Sequence, residues 1–394
     1  MVSLVITTIA TLILLVLGLG ALALEVHYRR RPGNQLAMSH GDWQIDTANP
    51  HQYLLTGYLE LVNQTQRFEI MIPEVSATVQ LLSKESLDQT TWAAQILSDH
   101  PDAPARSDGY WFAYIVKRKP TYLKVIVKIQ GDHLAALKSA WIQIQYVTYG
   151  PQGRIPKVRH VVIPLQYPDT SSLPQARSTD VAEVFPIQTH LLTELDDPVA
   201  VVKQYILPHA QPGDVVTLGE TPLALIQGRF RHPTSIHPGW VAQRVCLFFL
   251  PTSSLATACG MQSLIDVVGS GRVLWAFGVG FVAKLLGKPG MFYQLAGEQA
   301  RLIDDVTGTL PPFDQFVVLG PEHPQQVVDT IERETGLAAA IVDVNDLKAV
   351  KILAATPNLS PAFLEQALRS NPAGNADEQT PLVLIRPRSQ DMES

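Results

Sequence analysis

From Met1 to Leu24 the chain carries no charged side chain, and this apolar segment restricts the fold more than any other feature. Three arginines follow it at positions 29–31. About 20 apolar residues in a helix cover roughly 30 Å, the thickness of the hydrocarbon layer of a bilayer. Residues 1–31 are therefore predicted to form a transmembrane anchor with a basic flank, which contacts membrane lipid through residues 4–24.

A cleaved signal peptide is the alternative for this segment, because Ala21-Leu22-Ala23 resembles a small-residue cleavage site. However, no Lys or Arg precedes the apolar run, and the run exceeds the roughly 7–15 residues of a typical signal-peptide core. We therefore favour the anchor. Since Lys and Arg near the end of a membrane helix tend to stay cytoplasmic, the basic flank predicts a single-pass protein with its C-terminal domains on the cytoplasmic side.

The composition excludes some classes of function. More than 350 residues follow the apolar segment, which is enough for two domains with separate cores. The net charge is −6 and no large basic block occurs beyond position 31, so nucleic acid binding is not expected, because phosphate contacts need clustered Lys and Arg. Cys246 and Cys259 show no metal-ligand spacing and are expected to be ordinary buried thiols.

Residues 52–168 are predicted to form an immunoglobulin-like β-sandwich. Runs rich in Val, Ile, Tyr and Trp recur there, and in residues 141–149 (WIQIQYVTY) apolar and polar positions alternate, as in half-buried strands. Six or seven such strands suit a sandwich of this size, which would act as a spacer or a binding module. The polar residues 32–51 are predicted to be a connector before it, and the Ser- and Pro-rich residues 169–181 a linker after it.

After the linker, helical segments alternate with short apolar runs, which is typical of a sheet covered by helices. We assign residues 182–388 to this α/β-type domain and residues 389–394 to a tail, so the whole chain is predicted to be α+β. Within the domain, residues 273–286 are apolar but too short to span a bilayer comfortably. A buried core helix is favoured there, and an interfacial helix lying on the membrane is the alternative.

Polar clusters in the last third of the chain are candidates for a functional site. Asp304 and Asp305 follow an apolar pair, and Asp343 follows the apolar run 338–342. Because α/β folds bind ligands at the carboxyl ends of buried strands and carboxylates suit Mg²⁺ or Mn²⁺, these three aspartates are the predicted metal ligands. Helix caps, tight turns and solvated loops are the alternatives. The candidate polar site consists of Asn345, Asp346, Asn371, Asp377, Glu378 and Gln379.

Short motifs follow one another in a recognisable order in the C-terminal half. They are Val184-Phe185-Pro186, Asp196-Asp197, Pro212–Val216, Gly228-Arg229, Leu286–Pro289, Leu302–Asp304, Ile331–Asn345 and Pro381–Arg386. In this order they resemble the coenzyme F420-0:L-glutamate ligases, also called F420-0 gamma-glutamyl ligases. The resemblance covers roughly residues 182–388 and does not extend to the anchor or the sandwich.

The resemblance implies an enzyme that uses GTP and divalent metal ions to join L-glutamate to a carboxylate through an amide. The metals would neutralise phosphate charge and stabilise the transferring group. By position, Asp304 and Asp343 would be metal ligands, and Asn345 would match the Asn of an Asp-Thr-Asn-Gly-Arg turn in the family. Mg²⁺ or Mn²⁺ and GTP are therefore the cofactors that the ligase hypothesis requires.

The sequence departs from this family at positions expected to meet phosphates. Asp346-Leu347 replaces the Gly-Arg of that turn, and Pro222–Gln227 replaces an expected Ser-Lys. Each lost charge-assisted hydrogen bond removes roughly 1.5–3 kcal/mol. We therefore favour a membrane-anchored, degenerate ligase relative that acts as a scaffold, assembly factor or binding module beside a membrane-protein partner. A metal-dependent gamma-glutamyl ligase acting at the membrane surface is the alternative, so enzymatic activity stays an open question at this point.

Overall fold

The computed structural model describes residues 2–29, 34–65, 69–100, 106, 111, 113–116, 121–288, 290–305, 310–344, 349–374 and 378–388. In these ranges the strands form four sheets. Two of the sheets lie before residue 165, and the other two lie after residue 176. The protein is therefore a mixed α and β structure, as the sequence predicts.

The first helix, α1, spans Val2–Arg29. Its segment Thr8–Tyr28 has a mean hydropathy of 2.5, and 0% of the most apolar window is buried against the rest of the protein. The helix is long enough and apolar enough to cross a membrane, although a signal sequence would pass the same test. The predicted apolar helix is present, while membrane crossing and its direction stay predictions.

Two antiparallel sheets pack face to face and form the predicted β-sandwich. Their strands are β1 (Leu36–Met38), β2 (Asp42–Asn49), β3 (Gln52–Asn63), β4 (Ile70–Ser83), β5 (Thr91–Asp99), β6 (Tyr114–Val116), β7 (Thr121–Gln130), β8 (Leu137–Gly150) and β9 (Gly153–Pro164). The first sheet has the order β1-β3-β7-β5 with β2 also paired to β3, and the second has the order β6-β4-β8-β9. One apolar core lies between them.

Side-chain alternation explains most of this sandwich. In β7, Leu123, Val125, Val127 and Ile129 are fully buried, and the residues between them are more exposed. By contrast, β1 and β2 lie in the segment for which a polar connector is predicted. The side chains of β2 are almost all exposed, so no alternation marks it in the sequence. Backbone pairing with β3 makes it a strand, and the connector prediction is therefore wrong for residues 36–49.

The C-terminal half contains the remaining elements. They are β10 (Arg177–Ser178), β11 (Ala182–Ile187), α2 (Pro198–Tyr205), β12 (Val215–Gly219), α3 (Glu220–Ile226), β13 (Phe230–Arg231), α4 (Trp240–Val245), α5 (Ala258–Val268), α6 (Ser270–Leu285), α7 (Met291–Ala296), α8 (Gln299–Leu302), β14 (Asp304–Asp305), β15 (Val317–Val318), α9 (Pro324–Thr335), β16 (Ala338–Val344), β17 (Val350–Ala355), α10 (Pro361–Leu368) and β18 (Leu382–Pro387).

A six-stranded sheet of order β10-β11-β18-β12-β16-β17 organises this half. β12 and β16 run parallel, and the neighbouring pairs run antiparallel. One face packs against α2 and α9, and the other face packs against α10. Because both faces are covered, the central strands are apolar at nearly every position, which explains why the sequence shows them as continuous apolar runs.

The chain between β12 and β16 forms a lobe that contains α4–α8 and the small sheet β13-β15-β14. Met261, Leu264, Val273 and Ala276 are fully buried in the lobe core. Helices α5 and α6 meet at an angle of 113° at Gly269. The φ of Gly269 is +87°, a conformation that a residue with a Cβ rarely adopts.

The sandwich and the C-terminal half share an apolar contact. Trp141 and Val162 of the sandwich pack with Leu225, Phe313 and Phe316. Beside this cluster, Arg159 Nη2 donates to Glu194 Oε2 at 2.5 Å, and the Glu194 side chain is largely buried. An apolar cluster together with a shielded ion pair therefore fixes the two halves against each other.

The shared contact makes the protein sensitive to acid through His160. Trp141 Nε1 donates to His160 Nδ1 at 3.2 Å, and burial, aided by the charges of His232 and Arg159, lowers the pKa of His160 to about 4. Between pH 6.5 and 4 the unfolded state binds more protons at this site, so the free energy of unfolding falls as the pH falls. Replacing His160 with Phe removes this contribution.

As the pH falls from 6.5 to 4, we expect the free energy of unfolding of H160F to rise relative to that of the wild type, by at most about 3 kcal/mol. Urea unfolding followed by circular dichroism at several pH values measures the difference. The matched control is H51F, because His51 lies on the exposed end of the sandwich beside Asp132. A constant difference between H160F and wild type across this pH range would contradict the prediction.

Candidate functional site

A cavity of about 590 Å³ opens where several strands of the six-stranded sheet end. Because β12 and β16 are parallel, their carboxyl ends meet at the same side of the sheet. The loop before β18 reaches the same place, because β18 runs antiparallel to β12 and begins where β12 ends. The residues after β11 reach it as well, because β11 runs antiparallel to β18 and ends beside the start of β18. This is the position at which α/β folds bind ligands.

Three carboxylates from distant parts of the chain meet beside this cavity. Gly219 pairs with Val342, so the residues that follow them, Glu220 and Asp343, lie next to each other and both line the cavity. Asp304 comes from β14 and accepts a hydrogen bond from the Thr221 side chain. Local strand endings therefore place Glu220 and Asp343, and only the folded lobe brings Asp304 to them.

The three carboxylates repel one another. Glu220 is 8% exposed. Burial, followed by the charges of Asp343 and Asp304, raises the pKa of Glu220 to about 8. Although Asp304 keeps an exposed part, burial of its carboxyl and the charge of Asp343 raise its pKa to about 6. Strongly raised pKa values in a cleft are typical of functional acids.

One ammonium group offsets part of this negative charge. Lys351 lies opposite Asp343 in the antiparallel pair β16 and β17, and its charge favours ionised Glu220. Among the described residues, Lys351 Nζ is buried without a hydrogen bond, and Glu298 Oε1 lies 3.7 Å away from it. Within the described part of the chain, the site therefore combines four carboxylates with one ammonium group and has an excess of negative charge.

Thr189 and Gln379, which also line the cavity, are neutral and polar, and we call this part of the lining the neutral wall. Gln379 is tied to Thr189 by two hydrogen bonds, from Gln379 Nε2 to the Thr189 carbonyl at 3.0 Å and from Thr189 N to the Gln379 carbonyl at 3.1 Å. Gln379 and Asn371 have φ values of 53° and 48°. Non-glycine residues adopt this conformation rarely, and those that do cluster in turns, at helix ends and at functional sites.

The structure brings together part of the predicted site. Asp343, Asn371 and Gln379 line the cavity, and Asp304 lies beside it. Glu378 is exposed. Asp305 lies in β14, and its side chain is not described. Asn345, Asp346 and Asp377 lie outside the described residues, so their roles stay predictions.

Sequence reasoning missed Glu220 and Lys351. The signal for Glu220 is present, because this residue follows the apolar run 215–218 just as Asp343 follows the run 338–342. Lys351 has no comparable signal, since its place depends on the register of β17 on β16. An isolated lysine in a strand is in most cases only a solvated side chain.

The donor chemistry fits a divalent cation in part. Carboxylate and amide oxygens are the ligands that Mg²⁺ and Mn²⁺ prefer. However, within the described ranges no group of three or more His, Cys, Asp or Glu side chains is close enough together to hold a metal ion. None of the cavity-lining residues in the described part of the chain is Lys or Arg. The cavity is therefore suited to cations and does not present a preformed closed shell of protein ligands.

The fold and the site define an immunoglobulin-like domain followed by a mixed α/β domain with an acidic cavity. Residues 37–167 match the family model described as F420-0:gamma-glutamyl ligase, N-terminal Ig-like domain. This match covers about a third of the chain and lies in the sandwich, outside the segment on which the sequence resemblance rests. It supports a relationship to the ligase family, and the resemblance of residues 182–388 stays a prediction.

Other comparisons add little. No curated protein matches the chain. A crystal structure of the yeast GGA1_GAE domain-P21 is similar over 34% of this chain and 96% of that chain, with 12% identity and a TM-score of 0.20. A FixG-related protein from Vibrio parahaemolyticus covers 34% of this chain and 97% of its own, with 14% identity and a TM-score of 0.17. At these TM-scores neither similarity bears on function.

Proposed function

We propose that this protein is a membrane-tethered relative of the F420-0 gamma-glutamyl ligases whose C-terminal cavity binds a divalent cation together with a small, oxygen-rich ligand. The observation that carries the proposal is the meeting of Glu220, Asp304 and Asp343 at the carboxyl ends of two parallel strands. Carboxylates that repel one another in a partly buried cleft gain most from a cation. Metal-dependent amide formation is the activity that this site and the family relationship favour.

The incomplete set of protein ligands suits Mg²⁺ or Mn²⁺. Mg²⁺ is commonly held by one or two carboxylates, with water and substrate oxygens in the remaining positions. Asp343 and Glu220 would supply the protein oxygens, with Asp304 beside them. The cation would neutralise the charge of a phosphate or carboxylate ligand, a task for which the described part of the cavity lining offers no Lys or Arg.

The protein groups have separate roles in this scheme. Glu220 holds a proton near neutral pH, so it can donate a hydrogen bond until a cation displaces that proton. Lys351 limits the excess negative charge on the side of β17. The linked pair Thr189 and Gln379 keeps the neutral wall in place, and this wall can orient the uncharged part of a ligand.

Replacing Asp343 with Asn should weaken Mn²⁺ binding at least tenfold, because it removes one of the two carboxylates in the described part of the cavity lining. Calorimetry on the full chain in detergent measures the affinity. The matched control is D329N, since Asp329 is an exposed acid on α9. Equal Mn²⁺ affinity in D343N and wild type would contradict the cation site.

A scaffold or assembly role beside a membrane-protein partner is the second candidate function. The absence of Lys and Arg from the described cavity lining favours it, because a nucleotide triphosphate normally meets basic side chains. Titration of the full chain with GTP in the presence and absence of Mn²⁺ separates the two. Mn²⁺-dependent GTP binding supports the ligase, whereas a partner that stays bound after mild detergent extraction, without any GTP binding, supports the scaffold.

A further inference from the structure

The lobe between β12 and β16 exposes a large apolar surface, which we call the lobe face. It consists of Trp240, Leu247, Phe248, Leu250, Leu274, Trp275, Val279, Phe281, Val282, Leu285 and Leu286. Soluble proteins rarely expose continuous apolar patches of this kind without a binding function. The sandwich match and the proposed cation site leave this surface unexplained.

Helix α6 forms half of the lobe face. Its inner positions Val273, Ala276 and Gly280 are buried against the lobe core. A surface helix in water normally presents polar residues on its outer side. Here the outer side is apolar instead, and Phe281 and Leu285 are 49% and 72% exposed. The helix therefore has two apolar sides, of which the protein covers one.

The segment of α4 and the residues after it forms the other half. Trp240 is 68% exposed, and Leu247, Phe248 and Leu250 are exposed as well. The ring of Phe248 lies 5.0 Å from the ring of Phe277, measured between centroids. The two halves therefore make contact through Phe248 and Phe277.

The charges around the lobe face favour one kind of partner. From residue 232 to residue 297 the charged side chains are Arg244, Asp266, Arg272, Lys284 and Lys288. The single acid, Asp266, is neutralised by Arg231, whose Nη1 lies 2.5 Å from it. The segment 232–297 therefore carries four basic side chains and one acid in a chain whose net charge is −6. Exposed Trp and Lys around an apolar surface are typical of contact with anionic lipid headgroups.

We propose that the lobe face lies on the membrane as a second bilayer contact, in addition to α1. It would lie in the plane of the interface, because the inner side of α6 is fixed to the lobe core and 16 residues are shorter than a bilayer span. The contact rests on the membrane location proposed above and does not depend on the cation site. It would hold the cavity close to the lipid surface and favour ligands found there.

Tryptophan quenching by brominated lipids tests the contact. The full chain is reconstituted into vesicles of phosphatidylcholine and phosphatidylglycerol, with or without bromine on the acyl chains. The segment up to residue 42 contains no Trp, so insertion of α1 alone gives no quenching. We expect clear quenching of the wild type and at least a twofold smaller effect in W240F/W275F. The matched control W92F removes an exposed sandwich Trp and should be quenched like the wild type.

Flotation of the same vesicles reports tethering separately. Vesicles that carry the protein without quenching its tryptophans would overturn the lobe contact while leaving the tether intact, and this is the result expected if the face binds a protein instead. Equal quenching in W240F/W275F and wild type would also overturn the lobe contact. Protein that neither floats nor is quenched would overturn both proposals. F281E/L285E should retain flotation through α1 and lose most of the quenching.

Discussion

Replacing Phe316 with Ala is expected to lower the free energy of unfolding by about 3–5 kcal/mol. Phe316 is 1% exposed, and its ring contacts the rings of Trp141, His160, His232 and Phe230 at centroid distances of 5.2–5.6 Å. Removing the ring leaves a cavity at the contact between the sandwich and the C-terminal half. Both halves therefore lose stability through one substitution.

Urea unfolding of F316A, followed by tryptophan fluorescence and circular dichroism, measures this effect. The comparison variant F316L keeps most of the apolar volume and should cost less than about 1.5 kcal/mol. We also expect F316A to unfold in two separated steps, because Trp141 loses its main contact with the other half. A loss below 1 kcal/mol in F316A would show that the two halves are not held together by this cluster.

The substitution of Glu220 by Gln is expected to stabilise the metal-free protein at high pH. The ordinary pKa of Glu is 4.5, and in the folded protein burial and the neighbouring aspartates raise the pKa of Glu220 to about 8. Between these values the folded state binds more protons than the unfolded state, so the free energy of unfolding falls as the pH rises. Gln has a similar shape and does not ionise, so the variant avoids this loss.

Each unit of pKa shift corresponds to about 1.4 kcal/mol. Between pH 5 and pH 9, the free energy of unfolding of E220Q should therefore rise by roughly 3–5 kcal/mol relative to that of the wild type. Urea unfolding in the presence of EDTA gives both values. The control is E365Q, which changes an exposed acid on α10 and should follow the wild type at every pH. Addition of Mn²⁺ should stabilise the wild type more than E220Q. A difference in unfolding free energy between E220Q and the wild type that does not change with pH would contradict the raised pKa of Glu220.

Local patterns in the sequence were sufficient for much of the fold. The alternation in residues 141–149 identifies a half-buried strand because side-chain direction in a strand repeats every two residues. The apolar runs 215–218 and 338–342 identify central strands for the same kind of reason, since a covered sheet makes every position apolar. Strand β2 carries neither pattern, and its pairing with β3 is a long-range event.

The candidate site shows the same division. Asp343 and Asp304 were identifiable because each follows an apolar segment, and in the structure Asp343 lines the cavity and Asp304 lies beside it. Glu220 and Lys351 became visible only through the register that sets Gly219 beside Val342 and Lys351 beside Asp343. Registers between strands depend on packing across the whole sheet, and a single sequence does not display them.

The sequence alone determined that the chain begins with an apolar helix, continues with a β-sandwich and ends with a sheet covered by helices, because these features follow from periodicities of a few residues. The tertiary structure decided which acids meet at the cavity and which side of α6 faces outward. An apolar helix has the same composition whether its second side is covered by protein or left open. Only the packing of the lobe distinguishes these two cases.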